Sequence, residues 1–449
     1  MEKEIDFKEL SKHYFDDLDK ELSNLVSINS VYDEKTITDT APYGKGVEKA
    51  LNYVKELGTR LGFESKIINN RCAELTIGSG KKLIGIFGHT DVVPATGKWD
   101  SDPFSVSIRG DKMYGRGVSD DKGPFLASLF ATKLLADHGL IKNYRVRIVI
   151  GGDEERGASC LVNYFEDKNR EIPDYGFTPD ADFPVVYGEK GIANLKTTFD
   201  VEIKNVTSIE AGIVPNAVID KAVVTLKEND EGFIKYLKDN KVDVDINDNS
   251  LKFNGKSAHG STPEEGINSA IIALRCLATY YKNEKLLALV NKISDTTGKA
   301  FACCYKTSNL GQTTFNIGIL SYKDNKLQYV TNFRYPENVN ATSLVKDYDK
   351  ELSTNTKILS NMSYLLFDKE SPLIKKLMEA YQKETGDMEH GPIYLGGGTY
   401  AKDARNTVAF GAVFPGENTH MHEPNEFMVT ENLHKCISIY AHAIYLLGK

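Results

Sequence analysis

The chain has 449 residues, of which 41% are apolar and 26% are charged, so it is long enough for two or three domains with a sizeable core. Its net charge of −8 at pH 7 argues against nucleic acid or an anionic membrane as a general partner. The charged start has no apolar signal-peptide core and no long apolar run follows, so we expect a cytoplasmic protein with no membrane partner.

The six cysteines have no zinc-type CxxC spacing. In a chain of this length, that favours reduced thiols over a disulfide framework. The neighbours Cys303 and Cys304 leave a vicinal redox pair as the weaker alternative.

Helical and strand patterns alternate through the first third of the chain. Apolar spacing of the helical kind predicts helices at 6–28, 44–62 and 123–138. Apolar runs predict strands near 64–68, 73–77, 82–88 and 144–151. This alternation predicts an α/β domain in which helices sandwich a mainly parallel sheet.

The pattern changes after residue 188. Strands are predicted at 192–204, 218–227, 313–321 and 327–335, and helices at 267–283 and 285–294. Further helices are predicted from about Pro372 and over 429–447. We therefore expect an α+β domain (189–370) inserted between a first part (1–188) and a second part (371–449) of the α/β domain.

The stretch from Gly85 to Gly123 holds the strongest candidate for a metal site. An apolar run ends in His89 and Asp91, and side chains two apart on an extended segment point to the same side. Both could therefore bind one divalent ion of the zinc kind. Asp91 could instead accept a hydrogen bond from the second ring nitrogen of His89, or the pair could be a polar loop after a core strand.

Other acids and histidines also follow strand or loop patterns. They are Asp120 and Asp121, Asp153 to Glu155, Asp180 and Asp182, and His420 to Glu426. Each cluster alone could be a solvated turn. Because carboxylates at strand ends repel one another unless a cation offsets their charge, the clusters together favour a metal site.

Seven motifs, in this order, resemble those of a known family. They are GHTDVVP, YGRGVSDDKGP, GGDEERG, GKSAHGSTPEEGINS, NFRYP, GGGTYA and HEPNE. The chain resembles the co-catalytic zinc peptidases that include aminoacylase, carboxypeptidase G and carnosinase. Within that family, FTPDADFP, EKG and GGGTYA favour the bacterial dipeptidases of the PepV type. The resemblance extends from about residue 10 to the end and implies that the inserted domain is a lid.

The resemblance implies a dinuclear site with two Zn²⁺ ions, for which Mn²⁺ or Co²⁺ would also suit the ligands. His89 and Asp180 would bind one ion, Glu155 and His422 would bind the other, and Asp120 would bridge the two. A hydroxide shared by the ions would attack the amide carbonyl.

The resemblance also implies the catalytic side chains. Glu154 would be the general base, and Asp91 would support His89. His259 would stabilise the oxyanion. The peptide bond between Asp120 and Asp121 is often cis in the family. Glu423 and Glu426 are candidates for orienting His422.

For the substrate, the resemblance implies that Arg334 binds a free carboxylate together with the glycine loop of Gly397, Gly398 and Thr399. Asn216 is a further candidate, although related proteins usually place this asparagine before the Val-Pro pair rather than after it.

We therefore expect a monomeric dipeptidase that acts on small peptides with a free C-terminal carboxylate. One alternative is a deacylase of the acetylornithine or succinyl-diaminopimelate type, which would use the same centre on N-acyl amino acids. A second alternative is a non-enzymatic, metal-bound binding protein.

Overall fold

The computed structural model describes residues 5–449, which form two compact units. The first unit comprises the chain up to Tyr187, Phe367–Ile393 and Thr399–Lys449. The second comprises Gly188–Leu366 and Tyr394–Gly398. The sequence-based division assigned all of 371–449 to the first unit, whereas the structure groups the short glycine segment with the second.

The first unit is built on a sheet whose central strands are parallel. In spatial order its strands are Glu64–Ile68, Cys72–Gly78, Tyr144–Gly151, Lys82–His89, Tyr175–Thr178, Thr407–Ala409 and Val186–Glu189. The four from Tyr144–Gly151 to Thr407–Ala409 pair in parallel, and the outer pairs are antiparallel. The central strand Lys82–His89 is buried along nearly its whole length, as expected for a parallel strand covered on both faces. The predicted α/β fold class is confirmed.

The helices of the first unit cover both faces of this sheet. They are Phe7–Ser11, Phe15–Val26, Lys45–Arg60, Lys122–Asp137, Ser159–Glu166, Pro372–Thr385 and Thr430–Gly448. Neighbouring residues of a strand point to opposite faces. The ring of Phe87 lies 6.0 Å from that of Phe165 in one helix, whereas Gly88 lies against Phe125 in another. The predicted helix at 6–28 is interrupted by a 3₁₀ turn at Lys12–Tyr14.

Gly88 allows the helix Lys122–Asp137 to start close to the end of its strand. A Cβ at Gly88 would lie 2.6 Å from Oδ2 of Asp121 and 2.8 Å from Cβ of Phe125. No side chain fits in that space. The missing Cβ therefore brings the acidic turn before this helix against the strand that ends in His89.

Short strands complete the first unit. Ser107–Arg109, Lys112–Tyr114 and Phe427–Val429 form a small antiparallel sheet, and Ala181–Asp182 pairs with Ala412–Val413. The pairing of Phe427–Val429 with Lys112–Tyr114 joins the histidine-rich segment near the end of the chain to the hairpin that precedes Asp120.

The second unit contains an antiparallel sheet of eight strands. In spatial order they are Val244–Asn247, Ser250–Asn254, Lys221–Leu226, Val206–Ala211, Thr314–Lys323, Lys326–Tyr335, Gly191–Asp200 and Asn355–Met362. Its helices are Glu231–Asp239, Ser269–Tyr280, Glu284–Ile293 and Ala341–Leu352. Their apolar sides form one core with the sheet.

Several elements of this unit were not predicted, because their apolar patterns are short. The helix Glu231–Asp239 buries only Phe233 and Leu237. The strand Asn355–Met362 lies at the sheet edge and is largely exposed.

All six cysteines are free. Within residues 5–449, no helix is both long and apolar enough to cross a membrane.

Candidate metal centre

The predicted ligands of the first unit meet at one edge of its parallel sheet. His89 is the last residue of its strand. Asp180 and Glu155 follow the two strands that flank it, shortly after their carboxyl ends. The carboxyl ends of adjacent parallel strands share an edge, which is where such sheets carry their sites.

The structure brings the five predicted ligands into two overlapping groups, His89–Asp120–Asp180 and Asp120–Glu155–His422. Within each group the candidate ligand atoms lie within 4.8 Å of one another. Asp120 belongs to both. Its Oδ1 lies 3.0 Å from Nε2 of His89, and its Oδ2 lies 2.8 Å from Nε2 of His422. One carboxylate thus presents each of its oxygens to a different histidine.

The two groups differ in burial. Nε2 of His89 is 3.6 Å from Oδ2 of Asp180, and the His89 side chain is fully buried. Nε2 of His422 is 3.2 Å from Oε1 of Glu155, and the His422 side chain is 48% exposed. The second group is therefore the one open to solvent.

Both histidines have a raised pKa. Burial alone would lower the pKa of His422, but hydrogen bonds and charge from Asp120 and Glu155 raise it to about 11. Burial likewise opposes a raised pKa at His89, yet its carboxylate neighbours, Asp120 foremost, raise it well above the usual value. Burial would raise the pKa of Asp120, but the hydrogen bonds from the two histidines lower it. Two imidazolium ions thus offset part of the acidic charge.

The negative charge of the remaining carboxylates would exceed the positive charge of the two histidines. Burial is the largest cause that raises the pKa of Glu154, Asp121 and Asp180, and neighbouring carboxylates add to it. Burial and the charge of Asp120 raise the pKa of Glu155 to about 7. Imidazole nitrogens among closely spaced carboxylates are a donor set that suits divalent metal ions, so these residues fit metal binding.

Asp91 forms hydrogen bonds with His89 and with the turn that carries Glu154 and Glu155 (the glutamate turn). Nδ1 of His89 donates to the main-chain carbonyl of Asp91 at 2.9 Å, whereas Oδ1 lies at 3.5 Å. The Asp91 carboxylate instead accepts the backbone N–H groups of Glu154 and Glu155, at 3.2 and 3.1 Å. The first contact leaves Nε2 of His89 for a metal, as outer partners of metal-binding histidines usually do. The expected support of His89 thus comes mainly through the main chain.

Glu154 is placed differently from its neighbour. Its side chain is partly exposed, and among the described residues none donates a hydrogen bond to its carboxylate. Glu155, in contrast, lies within 3.2 Å of His422. The peptide bond between Asp120 and Asp121 is cis, as the resemblance led us to expect.

Glu426 does not contact His422 in the way we expected. Its buried carboxylate accepts backbone N–H groups from the segment that carries Asp120, and it pairs with Arg116. Glu423 is exposed. Sequence reasoning did not single out Arg116, although it lies within the quoted motif YGRGVSDDKGP and is 1% exposed.

The predicted substrate residues of the second unit form a separate cluster. Nδ1 of His259 lies 2.6 Å from Oγ of Ser261. A Cβ on Gly396 would lie 2.9 Å from Cβ of Ser261, and the carbonyl of Gly396 accepts Nη1 of Arg334 at 2.6 Å. Asn216 is exposed, and its carbonyl accepts the N–H of the glycine after His259.

Arg334 is a buried cation in this cluster. It is 3% exposed, and its Nε donates to Oδ1 of Asn332 at 2.8 Å. Burial lowers the pKa of its guanidinium to about 10. No carboxylate of residues 5–449 forms an ion pair with it, and Gly397 lies beside it with no side chain in the way. A planar guanidinium of this kind can bind a carboxylate through two parallel hydrogen bonds.

The glycine loop divides between the units. Gly397 and Gly398 belong to the second unit, and Thr399 belongs to the first. The hydroxyl of Thr399 accepts the N–H of Ala401 at 3.1 Å and caps a 3₁₀ turn.

Comparison with known proteins identifies the family. The model of peptidase family M20/M25/M40 matches residues 85–446. A protein of Staphylococcus haemolyticus named "Putative dipeptidase" is 34% identical over 473 residues, which cover 98% of this chain and 99% of that protein. A protein of Staphylococcus epidermidis with the same name is 35% identical over 471 residues, with the same coverage.

Solved structures share the fold at low sequence identity. Human carnosine dipeptidase 1 superposes with a TM-score of 0.63 at 14% identity, covering 98% of each chain. The di-peptidase Dug1p of Saccharomyces cerevisiae superposes with a TM-score of 0.61 at 16% identity, also covering 98% of each chain. From the family match, the long alignments and the two ligand groups, we conclude that this chain is a metallopeptidase that belongs to peptidase family M20/M25/M40.

Proposed function

We propose that this protein is a dipeptidase with two metal ions, Zn²⁺ or, with the same ligands, Mn²⁺ or Co²⁺, that hydrolyses dipeptides with a free C-terminal carboxylate. The observation that carries the proposal is Asp120, whose two oxygens face His89 and His422 separately. The names of the staphylococcal relatives favour dipeptides as substrates.

His89 and Asp180 would hold one ion, Glu155 and His422 the other, and Asp120 both. Divalent ions held by these residues would supply an activated water and polarise the scissile carbonyl.

Glu154 is the general base in this proposal. Its carboxylate is not engaged by a described neighbour, and burial beside other acids raises its pKa, which suits a group that takes up a proton. Glu154 accepts a proton from the attacking water and passes it to the leaving amine. Asp91 fixes the backbone of the turn that carries this glutamate.

The second cluster selects the substrate in this proposal. Arg334 is a buried cation without an acidic partner among the described residues, and the adjacent Gly397 leaves room beside it. The guanidinium binds the C-terminal carboxylate in a bidentate manner, and Gly397 and Gly398 line the same subsite. Thr399 is a further candidate that the family resemblance implies. His259 donates to the oxygen of the scissile carbonyl as charge develops there. Asn216, whose main chain supports the His259 loop, contributes to the same subsite.

We also propose that the protein is a monomer. The second unit spans Gly188–Leu366 with its own antiparallel sheet and core, and such a large insertion fits family members that work as single chains.

A substrate panel tests the function. Apo protein, with and without added Zn²⁺ or Mn²⁺, is assayed on dipeptides, a tripeptide, C-terminally amidated dipeptides and N-acetyl or N-succinyl amino acids. Metal-dependent cleavage of free dipeptides alone supports the proposal. Preference for N-acyl substrates would transfer the function to the deacylase alternative, and metal uptake without any hydrolysis would favour a binding protein.

A further inference from the structure

Glu426 and Arg116 form a buried ion pair beside the metal ligands. Nη1 of Arg116 lies 2.7 Å from Oε2 of Glu426, and both side chains are 1% exposed. The guanidinium carbon also lies 5.1 Å from the ring centroid of Trp99, the single tryptophan of the chain. The pair is thus closed off from solvent.

The other contacts of Glu426 are with main-chain donors. Its Oε1 accepts the N–H groups of Gly117, Ser119 and Asp120, at 3.1, 3.0 and 3.2 Å. Three hydrogen bonds from successive parts of one turn restrict the backbone that carries the shared carboxylate of Asp120. Charge-assisted bonds of this kind are roughly twice as strong as neutral ones.

Glu426 also belongs to the segment that carries the second histidine. Its own carbonyl accepts the N–H of Gly115 at 3.1 Å. Nearby, Oγ of Ser119 and Oγ1 of Thr419 lie 2.9 Å apart. The segment with Asp120 and the segment with His422 are therefore tied together at several points by Glu426 and its neighbours.

We propose that Glu426, neutralised by Arg116, is a positioning residue that sets Asp120 against His422 and thereby tunes the affinity of the Asp120–Glu155–His422 group for its metal ion. This inference rests on the proposed metal site. Only the Asp120–Glu155–His422 group takes ligands from both of the segments that Glu426 ties together. Glu426 should therefore affect metal binding by this group more than metal binding by the His89–Asp120–Asp180 group.

Two double variants separate this role from that of a buried ion pair. Removing one partner alone would leave an uncompensated buried charge, so both are replaced. Arg116→Met with Glu426→Leu removes the acceptor oxygen. Arg116→Met with Glu426→Gln keeps an oxygen for the three N–H groups without its charge. Glu431→Leu, at an exposed position in the first turn of the last helix, is the matched control.

The readout is Zn²⁺ binding by the apo proteins in competition with a chromophoric chelator, together with thermal unfolding of the apo forms. His422→Ala identifies which dissociation constant belongs to the Asp120–Glu155–His422 group. We expect the leucine variant to raise that constant about 10–100-fold, as is typical for outer partners of metal ligands, and the glutamine variant to raise it less. The control should bind like the wild type.

Equal loss in both double variants, or wild-type binding in both, would overturn the proposal. If the leucine variant does not fold, the glutamine variant decides, because wild-type affinity in it contradicts a role for the carboxylate. A wild-type protein that binds no Zn²⁺ would instead overturn the proposed function itself.

Discussion

The two clusters of charged side chains in this protein have opposite signs. In the first unit, buried carboxylates outnumber the two histidines among them, and burial with mutual repulsion raises the pKa of several of these acids. In the second unit, Arg334 is a buried cation, and no carboxylate among residues 5–449 pairs with it. The acidic cluster of the first unit therefore favours the binding of cations, and the basic cluster of the second unit favours the binding of an anion.

The backbones that carry the clusters also differ. The acidic cluster stands at the carboxyl ends of parallel strands and on turns held by buried hydrogen bonds. The basic cluster combines one residue near the end of an antiparallel strand with exposed loops. In our proposal the first supplies the reaction and the second selects the substrate. Variants of the two clusters should therefore have separable effects on kcat and KM.

The largest effect is expected from Asp120→Asn. A carboxamide offers only one oxygen as a ligand, so the two ions of our proposal would lose their shared carboxylate. The affinity for both should fall by more than the about 100-fold typical of losing an outer partner, and hydrolysis should fall with it. Metal titration of the apo protein measures this, with Asp239→Asn, at an exposed position of the second unit, as control. Normal uptake of two ions by Asp120→Asn would contradict the shared-ligand geometry.

Variants of the adjacent residues Glu154 and Glu155 separate the loss of a catalytic base from the loss of a metal ligand within the acidic cluster. Glu154→Gln should lower kcat about 10²–10⁴-fold with metal content unchanged, because the variant loses a base and keeps the ligands. Glu155→Gln should instead lose metal from the solvent-open group. Steady-state kinetics and metal analysis of the two purified variants separate the roles. Metal loss from Glu154→Gln would show that the two roles are assigned the wrong way round.

Arg334 should affect KM more than kcat. A hydrogen-bonded charged contact contributes about 1.5–3 kcal/mol, and about 1.4 kcal/mol corresponds to a tenfold change. Arg334→Met should therefore raise KM for a dipeptide about 10- to 100-fold, and Arg334→Lys should recover part of the loss. The exposed Arg275→Lys is the control.

The substrate supplies the complementary test of this contact. The wild type should cleave C-terminally amidated dipeptides poorly, because their terminus carries no charge for Arg334. Arg334→Met should treat free and amidated dipeptides alike. A variant that still prefers the free carboxylate would show that another group binds it.

The smallest expected effect is the release of protons when the apo protein binds metal. Carboxylate neighbours raise the pKa of His422 to about 11 and that of His89 well above its usual value, so both are protonated at neutral pH in the absence of metal. Binding needs neutral imidazoles, so metal uptake should release protons and the apparent affinity should rise with pH between about 6 and 8. Titration calorimetry in buffers of different ionisation enthalpy measures the release. Uptake without proton release would contradict ligation by these histidines.

The sequence predicted most of the framework that positions the acidic cluster. Strong apolar runs identified the strand Tyr144–Gly151 at its observed bounds and the strand Lys82–His89 to within a residue. The helices at Lys45–Arg60 and Lys122–Asp137 were equally well marked. Short or edge elements of the second unit, such as Asn355–Met362, were missed because few of their residues are buried.

The sequence by itself determined which residue types stand at strand ends, because this depends on local patterns. It also contains the family motifs that assign the expected roles of these residues. Only the tertiary structure decided which atoms meet. Glu426 and Asp120 are 306 positions apart, and no local pattern shows that one side chain accepts the backbone N–H of the other. The same holds for Asp91, which contacts His89 through its carbonyl and directs its carboxylate to the glutamate turn. Such contacts arise from packing between distant segments, because a buried acceptor bonds the donors that the fold brings to it.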